Sequence, residues 1–432
     1  MKTLITTIPH IPGYFNAAYN MSIFQVGAYL RAKRPQDIIV CKDMAALNFT
    51  WKDIANLLRS ERFDLVALLG DYDSIDSLER MLFYVKELIP DSKTMIFGRL
   101  PMQIPLFFQQ FSLDYIAYRG DYEINVESVI NTLETGEVPL GCFYKQVDRY
   151  SKGKIPPILK PEDFTFPDVS EVPYSAYYNL YKNDDSRYCG IPDRKELVVH
   201  VSRGCPIGCE FCDVQMLQGK RDRRVSAERV VSYIEQNKSS FEYVSFFSAI
   251  FTLNKAWLRE FCRLMIERHI SMPWKCVTTV ASLKTCDLEL MHAAGCFRVG
   301  LGIETLEAET STLLPLHKRI KHQEVDALLR HCQSVGIEVN AFLMCGLEGE
   351  TRQGIEYSIK HVEKLGARAR LSLYTPYQTL SDTMSKAQVC QLNRQTFTDD
   401  SDFDFYHKQY VYDFLYKWKY AESVVQSRVP KK

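Results

Sequence analysis

The sequence lacks the features that would place the protein in a membrane or on a charged polymer. Its 432 residues contain no uninterrupted apolar run long enough to span a bilayer, and the N-terminus carries no secretory signal. Lysine plus arginine and aspartate plus glutamate are balanced at 53 each, so no net charge attracts nucleic acid or an anionic membrane. We therefore expect neither a nucleic-acid partner nor a membrane partner.

Internal repeats and low-complexity segments are also missing, which excludes repeat architectures and favours an ordered chain. A chain of 432 residues exceeds the size that one hydrophobic core supports, so two or three domains are expected. The 13 cysteines, in a chain without a secretory signal, indicate a cytoplasmic location, because thiols stay reduced there.

The densest group of cysteines lacks the second C-x-x-C pair that a structural zinc site uses. Cys205, Cys209 and Cys212 lie in residues 201–213, V-S-R-G-C-P-I-G-C-E-F-C-D. Structural zinc takes four protein ligands, whereas three thiolates can hold three irons of a four-iron four-sulfur cluster and leave the fourth iron open. The alternative is a chance group of buried thiols, since free cysteine often acts as a small hydrophobe.

The spacing C-x-x-x-C-x-x-C, with Phe211 before the last cysteine and Arg203-Gly204 before the first, resembles the radical S-adenosylmethionine (SAM) superfamily. In that family the open iron binds SAM, and an electron from the cluster usually cleaves SAM to a 5'-deoxyadenosyl radical. The resemblance implies a [4Fe-4S] cluster on the three cysteines and SAM as a second cofactor, with Phe211 in the cofactor site. It also implies an electron donor such as flavodoxin or ferredoxin as a partner.

Residues 1–140 alternate apolar strand-length segments with amphipathic helical segments, which indicates an α/β fold. The predicted strands are Thr3 to Ile8, Asp37 to Cys41, Asp64 to Leu69, Thr94 to Phe97 and Tyr115 to Tyr118. The predicted helices are residues 16–33, 51–62, 76–89, 104–111 and 122–134. Continuous apolar strands bracketed by helices predict a doubly wound parallel sheet, whose ligands bind at the carboxyl ends of the strands.

Several stretches of this first domain resemble the cobalamin-binding domain that precedes the barrel in one branch of radical SAM enzymes. They are Gly27-Ala28-Tyr29-Leu30-Arg31, Phe63-Asp64-Leu65-Val66, Pro90 before Lys93 to Gly98, and Asp114-Tyr115 leading into Gly120-Asp121-Tyr122-Glu123. The resemblance implies cobalamin in a crevice above Tyr72, Ser74, Gly98 and Tyr122, with the upper face of the corrin toward the cluster.

The first domain departs from that branch at two glycines. Gly98-Arg99 replaces a frequent double glycine, and Tyr122 stands where a second glycine is common. No D-x-H-x-x-G motif offers a histidine to cobalt, so its lower position is expected to be empty or filled by water or a side chain, for which Arg99 is the candidate. The alternative is a retained scaffold whose crevice is empty or binds another ligand.

Residues 141–195 carry recurrent prolines and aromatic clusters, which predict a long, mostly extended connector. Residues 196–384 then repeat strand–helix units. The predicted strands are Leu197 to Val201, Tyr243 to Phe247, Trp274 to Thr279, Arg298 to Ile303, Glu338 to Met344 and Ala369 to Leu373. Six strands suit the partial (β/α)6 barrel of the radical SAM family, with the cysteine loop at the carboxyl end of the first strand, where α/β barrels keep their active sites.

The resemblance extends to single residues of the barrel. Glu304, in Gly302-Ile303-Glu304-Thr305, matches a polar position that contacts SAM, Lys318 matches a basic position that helps hold the SAM carboxylate, and Met344 would pack on adenine. The alternatives are a surface ion pair or solvated charges for Glu304 and Lys318, and core packing for Met344. In one departure, Ser248-Ala249-Ile250 replaces an acidic pair that typically precedes F-T-x-N.

Two C-terminal features complete the predictions. Tyr374-Thr375-Pro376-Tyr377 resembles the segment that faces substrate in this branch. Residues 385–432 predict a C-terminal helical segment, in which residues 405–420 are rich in aromatic side chains and would close the open side of the barrel.

These features together predict a radical SAM enzyme, a cobalamin-dependent methyltransferase acting on an unreactive carbon of a small molecule or peptide. One alternative is a radical SAM enzyme that catalyses rearrangement, epimerisation or oxidation, with the first domain as a scaffold. The other is a non-catalytic iron-sulfur protein that binds SAM. The sequence assigns no catalytic residue.

Overall fold

The computed structural model describes residues 1–9, 19–147, 149–181, 195–312, 314–374 and 379–394. The predicted substrate-facing residues 375–377 and the aromatic residues 405–420 lie outside these ranges. Within them the chain forms two largely parallel β-sheets, each covered by helices, as the α/β prediction requires. None of the described helices is long and apolar enough to cross a bilayer.

The first sheet contains seven strands in the order β2-β1-β3-β4-β5-β6-β7. They are β1 Lys2–Thr7, β2 Ile38–Lys42, β3 Leu65–Leu69, β4 Lys93–Phe97, β5 Tyr115–Ala117, β6 Cys142–Gln146 and β7 Arg149–Lys152. The first five pair in parallel, whereas β6 and β7 pair antiparallel to their neighbours. The strand order turns back between β1 and β3, which is the switch edge where a doubly wound sheet opens a crevice.

Five helices cover this sheet and confirm the predicted alternation. They are α1 Met21–Lys33, α2 Trp51–Ser60, α3 Ile75–Leu88, α4 Arg99–Gln103 and α5 Tyr122–Thr135. The predicted helix at residues 104–111 is instead a 3₁₀ turn, Pro105–Gln110. Pro105 lacks the backbone N–H that would continue α4, so the chain starts a new turn there.

The stretch predicted as an extended connector contains regular structure. Strands β6 and β7 lie in it and extend the first sheet, and residues Tyr174–Tyr181 form helix α6. Only the first residue of β6 is buried, and β7 has no buried residue. The apolar run of this hairpin, Cys142 to Tyr144, is shorter than a buried strand, so the pattern of hydrophobicity did not reveal it.

The second sheet contains six parallel strands that follow chain order, β8-β11-β12-β13-β14-β15. They are β8 Glu196–His200, β11 Tyr243–Phe247, β12 Trp274–Thr279, β13 Cys296–Glu304, β14 Glu338–Cys345 and β15 Arg368–Leu373. A two-stranded ribbon, β9 Ser202–Arg203 and β10 Arg223–Arg224, flanks the cysteine loop. In the described residues β8 and β15 each have one neighbour in the sheet, as in an open six-stranded barrel.

Nine helices belong to this part of the described chain. They are α7 Val214–Gln218, α8 Ala227–Asn237, α9 Lys255–Glu267, α10 Val280–Leu283, α11 Leu288–Ala293, α12 Ala308–Ser311, α13 His322–Ser334, α14 Arg352–Lys364 and α15 Lys386–Arg394. Helix α15 packs against α3 of the first domain, where Val389 and Cys390 join the buried core. The described start of the C-terminal segment therefore covers the first domain, and the prediction that residues 405–420 close the barrel stays a prediction.

Candidate active site between the two domains

The cysteine loop, residues 201–213, leaves β8 at the carboxyl end of the barrel strands. Cys205 N–H donates to Gly219 O at 3.1 Å and Cys212 N–H donates to Cys209 O at 3.0 Å, which fixes the loop. Gly204 has φ +85°, and a Cβ there would lie 2.1 Å from Arg221 O. The glycine before the first cysteine is thus required because the chain returns against it.

The three loop thiols are free, and burial favours the protonated form of two of them. Burial raises the pKa of Cys209 to about 11 and also raises the pKa of Cys212, and the charges of neighbouring thiolates add to both effects. A cluster that binds here would displace these protons, because iron binds the thiolate.

No group of three or more His, Cys, Asp or Glu side chains in the described residues is arranged to hold a single metal ion. Ligands of a four-iron cluster bind separate irons at separate corners, so they need not converge on one point. Three thiols on one loop, with their charges interacting, fit the donor set of an open cluster.

Glu304 and Lys318 form a buried ion pair, with 2.6 Å between Glu304 Oε1 and Lys318 Nζ. Burial alone would lower the pKa of Lys318, but the Glu304 carboxylate holds that pKa above its ordinary value. A Cβ on Gly302 would lie 2.7 Å from the Glu304 carboxylate and 2.9 Å from the Lys318 ammonium. The glycine of the motif therefore makes room for the pair, which is neither a surface pair nor a pair of solvated charges.

Glu304 itself has an unusual backbone conformation. Its φ is +69°, in the left-handed region, and the register between β13 and β14 shifts between Gly302 and Glu304. A non-glycine residue there is uncommon and costs conformational energy that the surrounding contacts must offset. The irregularity ends the strand and places this carboxylate beside Lys318.

A histidine that the sequence did not single out contacts the cysteine loop. His317 lies in a 3₁₀ turn, Leu316–Lys318, and its Nε2 is 3.1 Å from Cys209 Sγ. The sequence did contain one indication of this contact: His317 directly precedes Lys318, and a turn that places Lys318 in the site also places its neighbour close to the site.

Met344 and Phe211 lie where the resemblance predicts an adenine and SAM site. Met344 is half-buried near the end of β14, in a strand whose alternate residues are fully buried. Phe342 shares the face of Met344, and its ring would be 2.5 Å from a Cβ on Gly300. Phe211 is half-buried in the cysteine loop. The structure thus keeps both side chains partly accessible, but their contact with SAM stays a prediction.

Two acidic residues at the start of α5 hold the barrel against the first domain. Arg203, from the cysteine motif, donates to both oxygens of Glu123 at 2.8 and 2.5 Å and to Asp121 at 3.2 Å. Arg223 also pairs with Asp121, at 2.8 and 3.0 Å. Both guanidinium groups lie over the Phe164 ring. This cluster, the Arg203 clamp, turns the cysteine loop toward the carboxyl edge of the first sheet.

A second polar contact joins the crevice to the cysteine loop. Arg99 Nε pairs with Asp213, the residue after Cys212, and Gln103 Nε2 donates to the same carboxylate at 3.1 Å. Tyr72 OH donates to Gln103 Oε1 at 2.6 Å. Arg99 therefore reaches toward the cluster loop, and its expected place below cobalt stays a prediction.

The other predicted crevice residues have mixed surroundings. Gly98 has φ +127°, and a Cβ there would lie 2.5 Å from Gly70 O, so two loops of the domain already require this glycine. Ser74 is buried and donates to Asp71 O. Tyr122 is half-exposed against Phe97 and lines a small cavity between the domains.

The crevice at the carboxyl edge of the first sheet is partly open to solvent. Between the two domains, the Arg99 side chain keeps 23% of its surface exposed and the Asp213 side chain keeps 11%. Polar groups border the crevice on both sides, from Tyr122 on the first domain and Asp213 on the barrel. A polar-rimmed, partly open edge facing the cysteine loop is compatible with a bound corrin, whose binding stays a prediction.

Comparison with known proteins identifies the barrel. Residues 199–362 match the family model described as the radical SAM superfamily. The chain is 25% identical over 360 residues to an uncharacterized methyltransferase of Pyrococcus horikoshii, covering 81% of this chain and 75% of that protein. It is 24% identical over 214 residues to cytidylyl-2-hydroxyethylphosphonate methyltransferase of Streptomyces wedmorensis, covering 46% and 40%. It is 26% identical over 176 residues to hopanoid C-2 methylase of Rhodopseudomonas palustris, covering 38% and 33%.

Solved structures share the order of the two domains. The radical SAM methyltransferase TsrM from Kitasatospora setae, with cobalamin and a [4Fe-4S] cluster bound, superposes with a TM-score of 0.67 at 15% identity over 87% of this chain and 73% of that chain. The cobalamin-dependent SAM radical enzyme OxsB, with aqua-cobalamin bound, gives 0.67 at 15% identity over 99% of this chain and 56% of that chain. At such identities these likenesses show the fold. Residues 199–362 of the chain thus form a radical SAM domain, which a doubly wound α/β domain precedes.

Proposed function

We propose that the protein is a cobalamin-dependent radical SAM methyltransferase acting on an unreactive carbon of a small molecule or peptide. The observation that carries this proposal is the Arg203 clamp, because it turns the cysteine loop toward the crevice of the first sheet. The names of the relatives and the cofactors of the two solved structures support it.

The proposal gives each group of residues a ligand. Cys205, Cys209 and Cys212 would hold the cluster, Phe211, Glu304, Lys318 and Met344 would surround SAM, and Tyr72, Ser74, Gly98, Arg99 and Tyr122 would border cobalamin. When bound, the cluster and SAM supply a radical that can activate an unreactive C–H bond, and cobalamin supplies a transferable methyl group.

The Glu304–Lys318 pair would bind SAM by exchanging partners. A buried ammonium attracts an incoming carboxylate, while a buried carboxylate accepts hydrogen bonds from hydroxyl or ammonium groups. Each side chain holds the other in place before the ligand arrives, with 2.6 Å between them. Their burial keeps water from competing for these contacts.

The proposal includes a reducing environment and an electron donor of the flavodoxin or ferredoxin type, in the cytoplasm. Cysteines of the described residues are free thiols, which is the state that cluster ligands need.

Anaerobic reconstitution tests the proposed function without knowledge of the substrate. The full chain is supplied with iron, sulfide and hydroxocobalamin, desalted, and analysed for iron, cobalt and visible absorption. We expect a retained corrin chromophore and, with SAM and a reductant, formation of S-adenosylhomocysteine. The control is the variant in which all three loop cysteines are alanine, which should keep cobalt but lose iron. Loss of the chromophore from the native chain on desalting would refute the cobalamin proposal.

A second candidate is a radical SAM enzyme without methyl transfer. The observation that favours it is the mutual engagement of Tyr72, Gln103, Arg99 and Asp213, which leaves fewer free polar groups for a corrin. This enzyme would bind the cluster and SAM but no cobalt. Its product would be 5'-deoxyadenosine, or regenerated SAM, with no S-adenosylhomocysteine.

A further inference from the structure

The turn that carries His317 is held at several points. Lys318 N–H donates to Pro315 O at 2.7 Å, and Arg319 N–H donates to Leu316 O at 3.2 Å. The Lys318 side chain anchors the turn to Glu304 through the buried ion pair. Because these contacts fix the backbone on both sides of His317, its half-buried ring is held beside the cysteine loop.

The contact between His317 and Cys209 has one direction when the sulfur binds iron. An iron-bound thiolate carries no proton, so it can only accept a hydrogen bond. The ring nitrogen Nε2, 3.1 Å from Cys209 Sγ, must then be the donor.

We propose that His317 donates a hydrogen bond to the Cys209 thiolate and thereby raises the reduction potential of the cluster. This inference rests on the proposed function, because it requires the cluster on the loop. A hydrogen bond withdraws electron density from the sulfur, which stabilises the reduced cluster with its extra negative charge more than the oxidised one. His317 is therefore a positioning and tuning residue that acts through Cys209.

The test is a redox titration of the cluster, followed by electron paramagnetic resonance in the absence of SAM. The variants are His317→Phe, which removes the donor, and His317→Gln, which keeps an N–H group of similar reach. The matched control is His322→Phe, because His322 packs against Tyr357 with 6.0 Å between ring centroids and lies in the next helix. Each protein is the full chain, reconstituted anaerobically.

We expect all four proteins to bind the same amount of iron. In His317→Phe the equilibrium constant for reduction should fall about tenfold, which for a one-electron couple makes the midpoint potential about 59 mV more negative. The His317→Gln variant should lie between the native protein and His317→Phe, and His322→Phe should match the native protein.

Three results would overturn the inference. The first is an unchanged midpoint potential in His317→Phe. The second is loss of iron from His317→Phe and His317→Gln with the fold retained, which would make His317 an iron ligand. The third is an electron paramagnetic resonance signal of the reduced native cluster with strong coupling to a histidine nitrogen, which would mean that this nitrogen binds iron directly. A native chain that binds no cluster would instead refute the proposed function itself.

Discussion

The carboxyl edges of the two sheets both carry buried charges, but they use them differently. At the edge of the first sheet, Asp121 and Glu123 form ion pairs with arginines of the barrel. At the edge of the barrel, Glu304 and Lys318 pair with each other next to the cysteine loop. The comparison indicates that charges of the first edge hold the two domains together, whereas those of the second edge can exchange partners with a ligand.

The largest effect should come from removing the cysteines of the barrel edge. The Cys205→Ala, Cys209→Ala, Cys212→Ala triple variant should lose nearly all iron, whereas the native chain should bind about four irons after reconstitution. Iron and sulfide analysis measures this. Cys286→Ala is the control, since this half-buried thiol contacts Lys255 and lies outside the loop. Iron retained by the triple variant would place the cluster elsewhere.

The charges of the first edge should matter for stability. Arg203→Met leaves Glu123 buried without its bidentate partner, so the free energy of unfolding should fall by about 3–5 kcal/mol. Urea denaturation followed by circular dichroism measures the change. The matched control is Arg263→Met, whose pair with Glu267 is solvent-exposed and should contribute no more than about 0.5 kcal/mol. Equal losses in the two variants would show that the Arg203 clamp does not hold the domains.

His200, the last residue of β8, should make the stability of the folded protein depend on pH. Burial, assisted by Arg203, lowers its pKa from 6.5 to about 4. The folded protein therefore keeps this ring neutral where the unfolded chain binds a proton, so stability falls as the pH drops from 6.5 toward 4. The loss should reach roughly 3 kcal/mol, since each pKa unit corresponds to about 1.4 kcal/mol.

His200→Phe should remove the contribution of His200 to the pH dependence of stability. The new phenyl ring can keep the stacking that the His200 ring makes on Phe247. Urea denaturation at pH 6.5 and pH 4.5 compares the two proteins. The same loss of stability in both would assign the pH dependence to other groups.

The smallest effect concerns ligand exchange at the barrel edge. Glu304→Ala should weaken SAM binding to the reconstituted protein by about 1–3 kcal/mol through loss of a buried hydrogen bond. Isothermal titration calorimetry under anaerobic conditions measures it. Glu309→Ala is the control, because Glu309 is exposed a few residues away. An unchanged affinity for SAM in both Glu304→Ala and Lys318→Met would show that SAM binds elsewhere and does not contact this pair.

Local pattern determined much of this protein. The alternation of apolar strands and amphipathic helices predicted both sheets, because burial on two faces requires continuous apolar runs. The spacing of Cys205, Cys209 and Cys212 predicted one loop with three thiols, since all three lie within a single turn-rich segment after β8. The hairpin of β6 and β7 escaped prediction because its apolar run, Cys142 to Tyr144, is too short to indicate a buried strand.

Contacts between distant segments were decided only by tertiary structure. Arg99 and Asp213 are 114 residues apart, and Cys209 and His317 are 108 residues apart. Neither pairing follows from local periodicity, because each depends on how one packed unit docks against another. The sequence by itself determined most of the strands and helices and the cysteine loop. The docking of domains decided that Arg99 contacts the loop and that Arg203 is clamped by the first sheet, since long-range charge pairing is set by packing rather than by spacing along the chain.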